Sequence, residues 1–110
     1  TFILISVGCS IYTSISFLIS NNNIDPSRII SQIITGVGFL GAGVIFKLED
    51  KVIGVTTAAF IWCISAIGIL CGLGLVWTPI ILSFGLLSIS LLFELLEPLL
   101  KKIKKNESRD

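Results

Sequence analysis

Charge is absent from three long stretches of this 110-residue chain: 1–24, 29–46 and 52–93, which run 24, 18 and 42 residues. A membrane-spanning helix needs about 20 consecutive apolar residues, and the third stretch is long enough for two. The spacing predicts an all-α, polytopic transmembrane fold with four spans: a over 1–20, b over 27–46, c over 57–77 and d over 79–96. Residues 98–110 follow as a short basic tail. Only 14% of residues are charged, against about 25% in a soluble domain. A net charge of +1 excludes a basic nucleic-acid binder, and the apolar content excludes disorder.

The chain has no His, which removes the commonest general base and transition-metal ligand. No nucleophile–base constellation appears, and no enzymatic activity is expected. Cys9, Cys63 and Cys71 all sit in apolar runs without a CxxC pair, and are read as small packing residues. The chain also has no Met and opens inside an apolar run, so it reads as a processed protein or, in preference, a fragment lacking an N-terminal piece.

Asn21, Asn22 and Asn23 break the chain after span a. Asp25-Pro26-Ser27-Arg28 then starts a helix: Asp25 is suited to cap free backbone N–H groups, and Pro26 to the first turn. Between spans b and c, Lys47, Glu49, Asp50 and Lys51 read as a solvated loop, with Thr56 and Thr57 capping span c. Trp77-Thr78-Pro79 reads as the turn into span d, with Trp77 at the interfacial level. Counting Lys and Arg, the b–c loop and the tail hold seven (Lys47, Lys51, Lys101, Lys102, Lys104, Lys105, Arg109) against Arg28 alone on the other side. That asymmetry puts the C-terminus in the cytoplasm. It also argues that the Asn106-Glu107-Ser108 sequon never meets the glycosylation machinery.

Gly36 to Gly41 spells GxGxxG, but the dinucleotide reading needs a preceding strand, and this run lies inside an apolar span. In a membrane, small residues let helices approach closely. Ser31, Thr35, Gly38 and Ala42 share one face of span b, and Gln32, Gly36 and Gly43 a neighbouring one. Ser65, Gly68 and Gly72 repeat the pattern in span c, with Gly74 beyond. Spans b and c, with Gly41 also in the glycine run, are therefore expected to form the packed centre, while a and d, with larger aliphatics and single serines, face lipid more. Association with other membrane proteins or with a second copy would run through b and c.

The run from Asp25 through Gln32 and Gly36-Val37-Gly38-Phe39-Leu40-Gly41-Ala42-Gly43 to Phe46 resembles the signature of the MgtC/SapB membrane proteins. Val52-Ile53-Gly54-Val55-Thr56-Thr57-Ala58-Ala59-Phe60-Ile61-Trp62 is similar to the family's second signature, as are Ala66-Ile67-Gly68, Cys71-Gly72 and Gly74. The resemblance implies a multi-pass protein of the bacterial inner membrane, or of an organelle membrane of bacterial descent. It implies a role in Mg²⁺ homeostasis under magnesium limitation, and in pathogens survival inside host cells. It favours a regulator acting on other membrane proteins, with a Mg²⁺ transporter or channel component as the alternative. Family members carry a further first span ending in Gly-Leu-Arg-Thr, the last of which Thr1 resembles, so five spans are expected in the parent. Many also carry a soluble C-terminal domain.

The candidate functional residues are Asp25, Arg28, Gln32, Thr56 and Thr57. Asp25 and Arg28 flank the outer end of span b, as a cap with a local ion pair or as a rim site for a cation or partner. Gln32 lies one turn inside, as an interhelical hydrogen-bond donor or part of a pathway. Glu94 and Glu97 read as an interfacial pair beside the tail lysines, which can themselves attract anionic lipid. No resident cofactor is expected. Mg²⁺ is the one candidate ion, with Asp25, Glu49 and Asp50 as weak ligand candidates.

Overall fold

A computed structural model describes the backbone over residues 1–20 and 25–107, with side chains up to residue 98. The Asn21–Asn23 break, the sequon and the side chains of the tail lysines lie outside the described residues. Four helices and one hairpin follow in order: α1 (Phe2–Leu18), α2 (Ser27–Gly43), β1 (Phe46–Leu48), β2 (Lys51–Ile53), α3 (Val55–Gly72) and α4 (Trp77–Glu107). The expected all-helical class is found. Two helices, α3 and the Trp77–Pro98 stretch of α4, are long and apolar enough to cross a membrane. The Gly36–Gly41 run lies inside α2, with no strand before it.

The chain divides into two compact units, Thr1–Pro79 and Ile80–Asp110. The second is the body of α4, a helix with Pro98 inside it. Span d was expected to end near Leu96, yet the backbone stays helical to Glu107. Pro98 removes one backbone hydrogen bond. The Leu and Lys residues beyond it are strong helix formers that carry the helix on.

In the first unit the boundaries shift for identifiable reasons. α3 ends at Gly72 because Gly74, at φ 78°, adopts the left-handed conformation. The Leu75 N–H then donates to Leu70 O and the Gly74 N–H to Cys71 O, the paired bonds of a Schellman stop. Trp77-Thr78-Pro79 is consequently the first turn of α4, where Pro suits the helix, and the turn itself is Leu73–Val76. The expected solvated loop is a β-hairpin, with Phe46 opposite Ile53, Lys47 opposite Val52 and Leu48 opposite Lys51. Glu49, at φ 51°, starts its two-residue turn. α3 begins at Val55 behind Gly54, whose φ is 87°. A Cβ on Gly54 would run into the carbonyl of Val44, so this glycine locks the hairpin against the end of α2.

α3 is the shared packing partner, and α1, not α2, makes the tightest approach to it. A Cβ on Gly68 would collide with Ser6 O and lie 3.0 Å from Cys9 Cβ. One on Gly72 would lie 2.6 Å from both Ser10 O and Thr13 Cβ. The backbones meet where glycines in α3 face small residues in α1. Thr13, Ser16 and Ser65 are buried, and each donates its hydroxyl to its own helix, to Cys9 O, Thr13 O and Ile61 O. Burial therefore leaves no polar group unmet. α2 joins through Gly41 and Gly38, whose Cα positions face the Trp62 ring of α3. Cys9, Val37 and Ile61 form the buried apolar cluster where all three helices meet.

Span a, expected to face lipid more than b and c, nevertheless makes the tightest contact with α3, while its large aliphatics stay exposed. Its single serines and threonines are small and self-satisfied, which makes α1 a packing helix. Within α2 the buried residues are Val37 and Gly41. Ser31, Thr35 and Ala42 are exposed, and Gly36 and Gly43 have no neighbouring atom within 4 Å of an added Cβ. Of the cysteines only Cys9 packs, while Cys63 and Cys71 are exposed and all three are free.

Gly68→Ala is expected to destabilise the fold by about 1–3 kcal/mol, the cost of overpacking against a backbone that cannot yield. Gly36→Ala meets open space and gains helix propensity, so its stability should be equal or higher. Thermal melting of both variants in one detergent checks the contrast.

Candidate functional site

The polar residues singled out by the sequence fall at two ends of the first unit. At the start of α2, Asp25 accepts two hydrogen bonds from one residue. Its Oδ1 receives the Ser27 backbone N–H at 2.9 Å, and its Oδ2 the Ser27 hydroxyl at 2.6 Å. Pro26, at φ −57°, occupies the cap position, and its carbonyl accepts from Ile29 and Ile30. Asp25 thus braces the entry to α2 from one residue outside the cap. The Ser27 hydroxyl, then the Ser27 N–H, hold its carboxyl below the usual aspartate value of 3.8, with a smaller coulombic contribution from Arg28. Both Asp25 and Arg28 are exposed.

One turn further, Gln32 opens into a groove of about 460 Å³ between α1 and α2. Its walls include Leu4, Gly8 and Tyr12 from α1 and Ile29, Gly36 and Leu40 from α2. The lining is apolar apart from the Gln32 amide and the Tyr12 phenol. Gln32 is exposed, and among the described residues nothing hydrogen-bonds its amide. The open glycines Gly8 and Gly36 are what give the groove its depth.

At the opposite end of α2, Thr56 and Thr57 sit inside the first turn of α3 and are exposed. The cap of α3 is Gly54, with no side-chain cap bond, so the capping role expected of Thr56 and Thr57 is not taken up. Glu49 and Asp50 form the tip of the hairpin. They stand beyond the C-terminus of a helix of 17 residues whose N-terminus carries Asp25, a separation of about 25 Å along the axis. The three candidate ligands therefore cannot share one ion. Among the described residues no three His, Cys, Asp or Glu side chains converge on a metal-sized site. Mg²⁺ demands near-octahedral oxygen geometry, and among the described residues neither end supplies such a donor set. Glu94 and Glu97 lie three residues apart on α4.

Two contributors escaped the sequence reading. Trp62 is the surface against which α2 packs, its Nε1 3.5 Å from the position a Gly41 Cβ would take. The small side of α1, Cys9-Thr13-Ser16, carries a readable four- and three-residue spacing.

Because the Asp25 value in the fold lies below the unfolded one, its stabilisation is present above the ordinary aspartate range. It is lost as pH falls through the lowered value. Ser27→Ala removes the largest cause and should move the Asp25 titration upward toward 3.8, a shift readable in the carboxyl ¹³C chemical shift.

The MgtC family model matches residues 1–99. Protein MgtC of Brucella abortus is 47% identical over 73 residues, covering 66% of this chain and 30% of that protein. Protein MgtC of Salmonella typhimurium is 45% identical over 71 residues, covering 64% and 30%. An uncharacterized protein of Synechocystis is 44% identical over 72 residues, covering 66% and 30%. The aligned part spans about 30% of the length of these curated relatives. No solved structure matches the chain significantly. With nine-tenths of its length under one family model, the chain belongs to the MgtC family.

Proposed function

We propose that this chain is the membrane core of an MgtC-like protein that supports adaptation to low Mg²⁺ as a regulator, through contacts with other membrane proteins. The observation that carries the reading is the character of the α1–α2 groove. It is long, apolar and floored by glycine, with one amide in its wall. Such a surface suits the side of another helix, since helices in lipid associate by close packing and isolated polar side chains. It suits a divalent ion poorly, because Mg²⁺ gives up its waters reluctantly and seeks carboxylates and phosphates. α1 and α3 carry no charged side chain, and α2 carries only Arg28 near its outer end.

In this reading the helices form four spans in a bacterial inner membrane. α1 and α2, with 17 residues each, reach about 25 Å, within the range that modest bilayer thinning accommodates. The excess of Lys and Arg on the hairpin and tail supports a cytoplasmic C-terminus. Gln32 is the residue assigned to partner recognition, with Asp25 holding the helix that presents it.

A strain deleted for the full-length gene should grow poorly in low Mg²⁺ and be rescued by the wild type. Gln32→Ala should fail to rescue while still inserting into the membrane. The purified full-length protein should give no Mg²⁺ flux in liposomes. Flux would replace the regulator with a transporter, and an absent growth phenotype would reject the magnesium role.

A further inference from the structure

The hairpin between α2 and α3 has no part in the reading above, and its surface is unusual for a loop. Phe46, Leu48, Val52 and Ile53 are 58%, 60%, 57% and 46% exposed. Residues directly opposite in a ladder share a face, and neighbours along a strand alternate. The register therefore groups Phe46, Ile53 and Leu48 with Lys51 on one face, and Lys47 with Val52 on the other. The apolar surface continues into the helices, through exposed Ile45 beyond α2 and Val55 at the start of α3.

An isolated two-stranded hairpin is marginal in water. This one is set in place by the chain itself. Gly54 lies so close to the Val44 carbonyl that no side chain fits between, so the hairpin has a defined pose at the ends of both helices. Its outer strand edges carry backbone groups without ladder partners, because the sheet has two strands. Such edges need water or headgroups and are excluded from hydrocarbon. The apolar face and the polar edges together define a narrow depth: the boundary between acyl chains and headgroups. The charges fit that layer as well. Lys47 and Lys51 bracket Glu49 and Asp50, so the hairpin offers both signs and no net charge, complementary to headgroups that pair phosphate with ammonium.

We propose that the hairpin is a membrane-interface anchor, lying on zwitterionic lipid with Phe46, Leu48 and Ile53 toward the acyl chains. Lys51 extends its apolar stem along that face and its ammonium to the lipid phosphates. The anchor fixes the level at which α2 ends and α3 begins. This inference rests on α3 crossing the membrane.

The test uses the chain reconstituted in phosphatidylethanolamine–phosphatidylcholine vesicles. Nitroxides are attached singly through Lys47→Cys, Leu48→Cys, Val52→Cys and Ile53→Cys. Cys63 and Cys71 are replaced by alanine, and buried Cys9 is left in place. Power-saturation EPR then compares collision with oxygen, which favours lipid, and with a water-soluble nickel chelate. Labels at 48 and 53 should collide with oxygen several-fold more than with the chelate, and labels at 47 and 52 the reverse. A label on native Cys63, exposed on α3, is the reference for the span. If Cys63 reports lipid while 48 and 53 report water, the anchor is overturned and the span stands. Shielding of 48 and 53 from both agents means a protein partner covers the face, which also overturns it. If Cys63 itself reports water, the membrane placement of α3 fails and the anchor with it. Phe46→Trp quenched by brominated lipid, against the Trp62 and Trp77 background, gives the same answer without a label.

Discussion

Everything in the first unit depends on how closely two backbones can approach. Gly68 and Gly72 bring α3 against Ser6, Cys9, Ser10 and Thr13 of α1 so tightly that a single methyl would collide. In lipid no hydrophobic drive pushes apolar helices together, so such contact is the main source of association. The larger side chains are displaced outward by this approach. Much of the aliphatic surface is exposed, and the buried residues are mostly small: Cys9, Thr13, Ser16, Ala58 and Ser65, with Val37 and Ile61 the larger ones. The arrangement inverts the usual proportions of a soluble core, where most of the bulk is inside.

That inversion explains what could be read from the residues alone. The charge-free stretches predicted apolar helices in the observed order, and two of them, α3 and the Trp77–Pro98 stretch of α4, are long and apolar enough to cross a membrane. The glycine pattern in α3 pointed to a contact surface, and Gly68 and Gly72 are at one. In α2, Gly38 and Gly41 of the pattern meet Trp62, while Gly36 and Gly43 meet open space. Small residues lie on more than one of its faces, and spacing alone cannot tell which face meets a neighbour. Val37 and Gly41 are buried, while Gly36 opens the groove wall. In span a, the Thr13 and Ser16 hydroxyls fold back onto their own helix and leave a small, dry surface, which spacing alone does not reveal.

Turns were the least legible part. The charges at 47–51 suggested solvent, and they masked the alternation of Phe46 and Leu48 about Lys47, too short to signal a strand. Gly54 and Gly74 both adopt positive φ, but a glycine in the sequence does not say whether it serves conformation or packing. At the start of α2 the capping chemistry was visible and displaced by one residue, since Pro26 takes the cap position and Asp25 acts through Ser27. The site residues were visible by type. Their separation to opposite ends of span b was visible too, and the 17-residue length of α2 sets it at about 25 Å, too far for a shared ion.

The hydroxyls of Thr13, Ser16 and Ser65 each bond within their own helix. One weak bond, from Ser14 to the Gly72 carbonyl at 3.4 Å, crosses between helices. Separating α1 from α3 in a bilayer would therefore strand almost no polar atom, and each helix is chemically complete by itself. The fit of α1 against α3 is thus a matter of shape far more than of hydrogen bonding.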